Sequence, residues 1–144
     1  MAIFKRSLAS FIVGRSVNAS CVARRFISSS ARLRSVMTRR VDTVARLGGD
    51  EFVILLPRIN KELDAEAACE RVLGALCQPF SVEQHAIQIS ASIGIAFAPQ
   101  HGLEAEQMLK SADAAMYCAK RAGGNGYRIF ADSMLATTDD STEF

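Results

Sequence analysis

Arg46-Leu47-Gly48-Gly49-Asp50-Glu51-Phe52-Val53-Ile54-Leu55-Leu56-Pro57 is the stretch on which the reading of this chain turns. Two glycines and two carboxylates stand between short apolar runs, with Val44 and Leu47 before them and Phe52 to Leu56 after. Short β-prone runs bounded by Gly or Pro read as strands, and a Gly-containing gap of a few residues reads as a hairpin. Glycine tolerates positive φ and leaves room for a ligand at the backbone, so Gly48 and Gly49 would present Asp50 and Glu51 at the tip. An acidic pair on a rigid turn suits a hard divalent cation that carries a phosphate substrate. The plainer alternative is an ordinary hairpin turn with solvated acids.

Working outward, Leu33, Val36 and Met37 fall at i, i+3 and i+4, the spacing of one face of a short helix ending near Arg40. A strand is expected over 42–47 and its partner up to Pro57. Polar residues from Asn60 to Asp64 offer capping for a helix that reaches about Cys77, with Leu63, Ala67, Val72, Leu73 and Leu76 as its apolar face and Pro79 as its stop. Phe80–Val82 and Ala86–Ile89 read as a small hairpin, and Ser90–Phe97 as a buried strand. A second long helix spans Leu103–Arg121, its core side carried by Met108, Leu109, Ala112, Ala115, Met116 and Ala119. Gly123-Gly124 cap it, Tyr127–Phe130 gives a last strand, and 132–144 reads as a polar, frayed tail. The pattern is an α/β layer with an antiparallel-rich sheet packed by helices, without a Gly-rich strand-to-helix turn of the Walker or Rossmann kind.

Length and composition bound the function. At 144 residues and 49% hydrophobic content this is one domain with one core. No apolar run is long enough to span a bilayer. Cys21, Cys69, Cys77 and Cys118 are widely spaced and lack a nearby His in a ligand pattern, which reads as small buried hydrophobes in a reducing compartment and against zinc. The net charge of +2 hides a split: residues 1–41 hold nine Lys/Arg and no acid, whereas 42–144 are net −7. The acid-free segment 1–30 admits three readings: a mitochondrial transit peptide, a basic nucleic-acid arm, or out-of-frame or alternative-start sequence joined to a truncated domain. The third is favoured only by the family resemblance that follows. The segment is expected to be poorly ordered or irregularly helical, with a partial domain over 31–131.

Gly48-Gly49-Asp50-Glu51-Phe52 resembles the signature of the GGDEF family of diguanylate cyclases. Ile89-Ser90-Ala91-Ser92-Ile93-Gly94-Ile95-Ala96 resembles its central strand, and Ala112-Asp113-Ala114-Ala115-Met116-Tyr117-Cys118-Ala119-Lys120 its second helix. The resemblance implies the palm-like α+β sandwich of nucleotidyl cyclases and polymerases, and condensation of two GTP into cyclic di-GMP across a homodimer. It implies Mg²⁺ or Mn²⁺ at Asp50, a second acidic contact at Glu51, nucleotide approach over Gly48 and Gly49, and a terminal-phosphate contact at Lys120. Arg39-Arg40-Val41-Asp42 fits the family's R-x-x-D motif, its Asp42 six residues before Gly48, and the resemblance implies that Arg39 and Asp42 would hold inhibitory cyclic di-GMP. The setting implied is bacterial cytoplasm, with no nucleic acid as partner.

The chain also departs from that pattern. The family's first strand-turn-helix unit, with its metal-binding aspartate, has no counterpart in the acid-free residues 1–41, and Gly124 stands where many relatives carry a phosphate-contacting Arg. A sheet without that strand leaves hydrogen bonds open beside the hairpin, unless residues 1–30 supply a strand. The expectation is therefore a cyclase-type domain of impaired activity, or an inactive remnant that binds cyclic di-GMP or dimerises.

Overall fold

The computed structural model describes residues 2–7, 43–48, 50–57, 59, 61–82 and 85–137, and seven strands and two α-helices lie among these described residues. They are β1 (Ala2–Ser7), β2 (Thr43–Gly48), β3 (Glu51–Leu56), α1 (Glu62–Cys77), β4 (Phe80–Val82), β5 (His85–Ile87), β6 (Ser92–Phe97), α2 (Ala105–Arg121) and β7 (Gly126–Ile129), followed by a 3₁₀ turn at Asp132–Thr137. Five strands form one sheet in the order β2-β3-β1-β6-β7, and β4 and β5 form a separate ribbon. All pairings in the large sheet are antiparallel except β6 with β7.

Residues 1–30 do supply the strand that the sheet needs. Ala2–Ser7 lies between β3 and β6, with Phe4 opposite Ile54 on one side and Ile95 on the other. For Ala2–Ser7 this replaces the expected irregular structure with a strand, while residues 8–30 lie outside the described residues. A six-residue segment can satisfy two open ladders at once, and that gain outweighs the two charged residues it carries. The expected helix around Leu33, Val36 and Met37 lies outside the described residues.

Each face of the sheet has its helix, and β3 shows why. Its residues alternate, with Phe52, Ile54 and Leu56 buried on one face and Val53 and Leu55 half-buried on the other. The first face packs with Ile93, Ile95 and Phe97 against Ala65, Ala68, Cys69, Val72 and Leu76 of α1. The second meets α2 through Ala96, Met108 and Ala112, with Val53, Leu55 and Leu109 at the margin. Val72 and Leu76 of the expected apolar face are buried, but Ala65, Ala68 and Cys69 complete the stripe, while Leu63 is 68% exposed and Ala67 faces solvent. Small side chains let the helix sit close to a sheet that brings the bulk itself, so residue size misled the apolar-face assignment. Asp64 accepts a hydrogen bond from the Lys61 backbone N–H at 3.2 Å and starts the helix.

At the end of α2, Gly123 and Gly124 take φ of 111° and 70°, and the Gly124 N–H donates to the Ala119 carbonyl. The 3₁₀ turn after β7 packs Met134 beside Phe130 and α2, so the first half of the expected tail is structured.

Cys69 is enclosed between α1 and the sheet, and burial, reinforced by Glu66 and Glu70, pushes its thiol well above its ordinary value of 9.0. A raised folded value means that this contribution to stability is complete below about pH 9 and fades as the pH climbs past it, because the unfolded thiol ionises first. Iodoacetamide at neutral pH is expected to label Cys77 and Cys118 before Cys69, which should react only as the protein unfolds. Equal labelling rates at Cys69 and Cys118, read by mass spectrometry, would contradict the buried position.

Candidate functional site

The hairpin closes as its glycines anticipate. Gly48 pairs with Glu51, so Gly49 and Asp50 make the link, and a bulge between Arg46 and Gly48 leaves Leu47 53% exposed. A bulge sharpens the local twist and re-aims the tip of the strand. Asp50 and Glu51 are both half-buried. The alternation of β3 places Glu51 on the face shared with Val53 and Leu55, the face that α2 packs. Gly49 lies outside the described residues, as do Arg39 and Asp42.

Topology decides what stands near this turn. β1 ends at Ser7, opposite Ser92, and Arg6 is opposite Phe52. β6 begins at Ser92 and β7 at Gly126, which are Cα partners. α2 connects the two parallel strands and therefore runs back to finish at that same end of the sheet. Its last turn carries Lys120 and Arg121. The carboxylates of the hairpin and the cations of α2 thus share one end, although 69 positions separate Glu51 from Lys120 in the chain.

Two further contacts shape that end, and sequence reasoning missed both. The Arg121 guanidinium lies 5.9 Å from the centre of the Tyr117 ring, within reach of a cation–π contact. The Cys77 thiol donates to Asn125 Oδ1 at 3.3 Å and ties the end of α1 to the loop before β7. Asn125 has φ of 49°, so the loop Gly123-Gly124-Asn125 is a left-handed run. The i, i+4 spacing of Tyr117 and Arg121 was a readable signal for the first. The second joins residues 48 apart and had none. A side chain at position 124 would meet the Ser92 hydroxyl at 3.6 Å and a strained backbone, so glycine suits the loop as built.

No group of three or more His, Cys, Asp or Glu among the described residues comes together as a metal cage. Magnesium does not demand one, since it keeps several waters and is held by one or two carboxylates plus substrate phosphates. Asp50 with Glu51 fits that kind of donor set.

The comparisons with known proteins agree on one family. A family described as diguanylate cyclase, GGDEF domain, matches residues 20–126. The chain belongs to the GGDEF family. Its match begins at residue 20, eleven residues before the boundary expected from composition. The bifunctional diguanylate cyclase/cyclic di-GMP phosphodiesterase MucR of Pseudomonas aeruginosa is 41% identical over 117 residues, 81% of this chain and 17% of MucR. The cyclic di-GMP phosphodiesterase PdeR of Escherichia coli is 36% identical over 91 residues, 63% of this chain and 12% of PdeR. The solved GGDEF domain of TpbB from Pseudomonas aeruginosa superposes with a TM-score of 0.82 at 26% identity, covering 96% of this chain and 81% of that one. The GGDEF fold of this chain is thus the palm-like α/β arrangement, and the chain spans under a fifth of the length of these curated relatives. Among the described residues no helix is long and apolar enough to cross a membrane.

Proposed function

We propose that this chain is a diguanylate-cyclase-type domain that binds GTP with Mg²⁺ or Mn²⁺ at the Gly48–Glu51 turn, with its capacity to form cyclic di-GMP impaired. The observation that carries this reading is the placement of Asp50 and Glu51 at the same end of the sheet as Lys120 and Arg121. Asp50, with Glu51 beside it, would hold the cation. When bound, that ion would offset charge on the nucleotide phosphates during attack by a 3′-hydroxyl. Gly48 and Gly49 would admit the nucleotide to the backbone, and Lys120 would take the terminal phosphates as a point charge. Two copies of the domain would be needed to bring two GTP molecules face to face.

The proposed impairment rests on β1. The strand next to the hairpin is Ala-Ile-Phe-Lys-Arg-Ser, which offers no carboxylate to a cation held at Asp50. Similarity to a part of PdeR, which is named as a phosphodiesterase, is consistent with a domain that serves a role other than synthesis. That supports a second reading, in which Arg39 and Asp42 bind cyclic di-GMP or the domain acts in dimerisation.

Calorimetric titration of the purified chain with GTP is expected to show binding that needs the divalent ion and weakens at least about tenfold, or ~1.4 kcal/mol, in Asp50→Ala. No cyclic di-GMP should accumulate. Its formation would overturn the impairment, and GTP binding indifferent to Asp50→Ala would remove the turn from the site. Cyclic di-GMP binding that survives Asp50→Ala and is lost in Arg39→Ala would establish the second reading.

A further inference from the structure

We propose that a cavity at the far end of the sheet from Asp50 binds a small zwitterion with an apolar body, a free amino acid or an apolar dipeptide. β6 and β7 run parallel, and their carboxyl ends, at Phe97 and Ile129, both lie at that end. Crevices outside the carboxyl ends of helix-linked parallel strands are where such sheets receive ligands. Here the crevice is a cavity of about 630 Å³ between the loop after β6, the first half of α2 and the 3₁₀ turn. That volume is ordinary for a small-molecule site.

His101 is the fixed point of the cavity. Its backbone N–H donates to the Phe97 carbonyl at 2.7 Å, and its carbonyl accepts from the Ser111 hydroxyl at 3.0 Å. Its Nδ1 accepts from the Phe97 N–H at 3.0 Å. A backbone N–H can only donate, so the neutral ring carries its proton on Nε2. The rings of Phe97 and Phe130, with centroids 5.7 and 5.3 Å away, hold the imidazole in place. Every polar atom of His101 is thus engaged except Nε2, whose N–H has no acceptor among the described residues. That nitrogen is accessible rather than sealed in, and the space that His101 lines is this cavity.

Charges of both signs share the lining without cancelling. Lys110 stands with Glu104 and Asp132, all exposed, and among the described residues it makes no ion pair with either. Apolar surface accompanies them: Leu103 and Leu135 are 75% and 38% exposed. A simple anion would meet two carboxylates and a simple cation the lysine, so a ligand bearing both signs fits best. Its carboxylate would take the His101 Nε2–H and the Lys110 ammonium, and its ammonium would take Glu104 and Asp132. Its apolar body would cover the two leucines, which otherwise stand in water.

Titration of the full chain with L-phenylalanine and with L-leucyl-L-phenylalanine, followed by ¹⁵N spectra of the imidazoles, tests the assignment. At least one probe should bind saturably and shift His101 Nε2 more than Nδ1, and the tighter of the two identifies amino acid or dipeptide. N-acetylating or amidating that probe removes one charge and should weaken binding about tenfold, as should Lys110→Met and Asp132→Asn. Both positions are exposed, so the variants should keep the parent's thermal midpoint. The proposal is overturned if neither probe binds, if the His101 nitrogens do not respond, or if both charge-deleted probes bind as well as the parent. Binding indifferent to both substitutions would overturn it too.

Discussion

Replacing Gly94 by alanine is expected to lower stability by about 3 kcal/mol, the upper end of the usual cost of an added methyl in a packed interior. The methyl would overlap the Ala112 carbonyl oxygen, and it would stand 2.5 Å from the Met116 backbone nitrogen and 2.9 Å from the Ala112 carbonyl carbon. All three are backbone atoms of α2, which cannot swing aside as a flexible side chain would. Relief requires the whole helix to lift from β6, opening the contacts of Ala96, Met108 and Ala112 together. The contrast is Gly74 of α1, where an added methyl meets nothing within 4 Å and helix propensity favours alanine by ~1 kcal/mol. Thermal unfolding should therefore place Gly94→Ala roughly 10 °C below the parent and Gly74→Ala at or slightly above it. Equal midpoints for Gly94→Ala and the parent would show that α2 does not sit on β6 this closely.

The second large effect is expected from Lys5→Pro. Lys5 is the middle of β1, opposite Val53 on one side and Gly94 on the other. Proline cannot donate to a ladder, and its ring excludes it from strands paired on both edges. Losing that hydrogen bond and leaving its acceptor buried should cost about 3 kcal/mol. Ala2→Pro, at the first residue of the same strand, should be far milder. Urea unfolding followed by circular dichroism compares the two. If Lys5→Pro unfolds at the parent's midpoint, Ala2–Ser7 is not the central strand.

The sequence showed most of what depends on local pattern. The two hairpins, both long helices and the glycine cap after α2 follow from periodicity and from Gly and Pro placement. β1 was not legible, because Lys5 and Arg6 in a short N-terminal run have no strand signature of their own. Its two neighbours, 46 and more residues away, make it a strand. Leu63 was placed inward on its size, whereas the sheet's own bulk selected Ala65 and Ala68. In the site, Gly48, Asp50, Glu51 and Lys120 could each be named from motif. That they share an end of the sheet needed the parallel pairing of β6 with β7, which no local pattern encodes.

The place of β1 also sets an order of events during synthesis. Ala2 leaves the ribosome well before its partner Phe97. At about 5–20 residues per second the strand waits several seconds before both its ladders exist. Through that interval the hairpin can close and α1 can form, whereas the sheet's centre stays empty. Insertion of Ala2–Ser7 between β3 and β6 is a long-range closure, and pairings of such sequence separation slow folding.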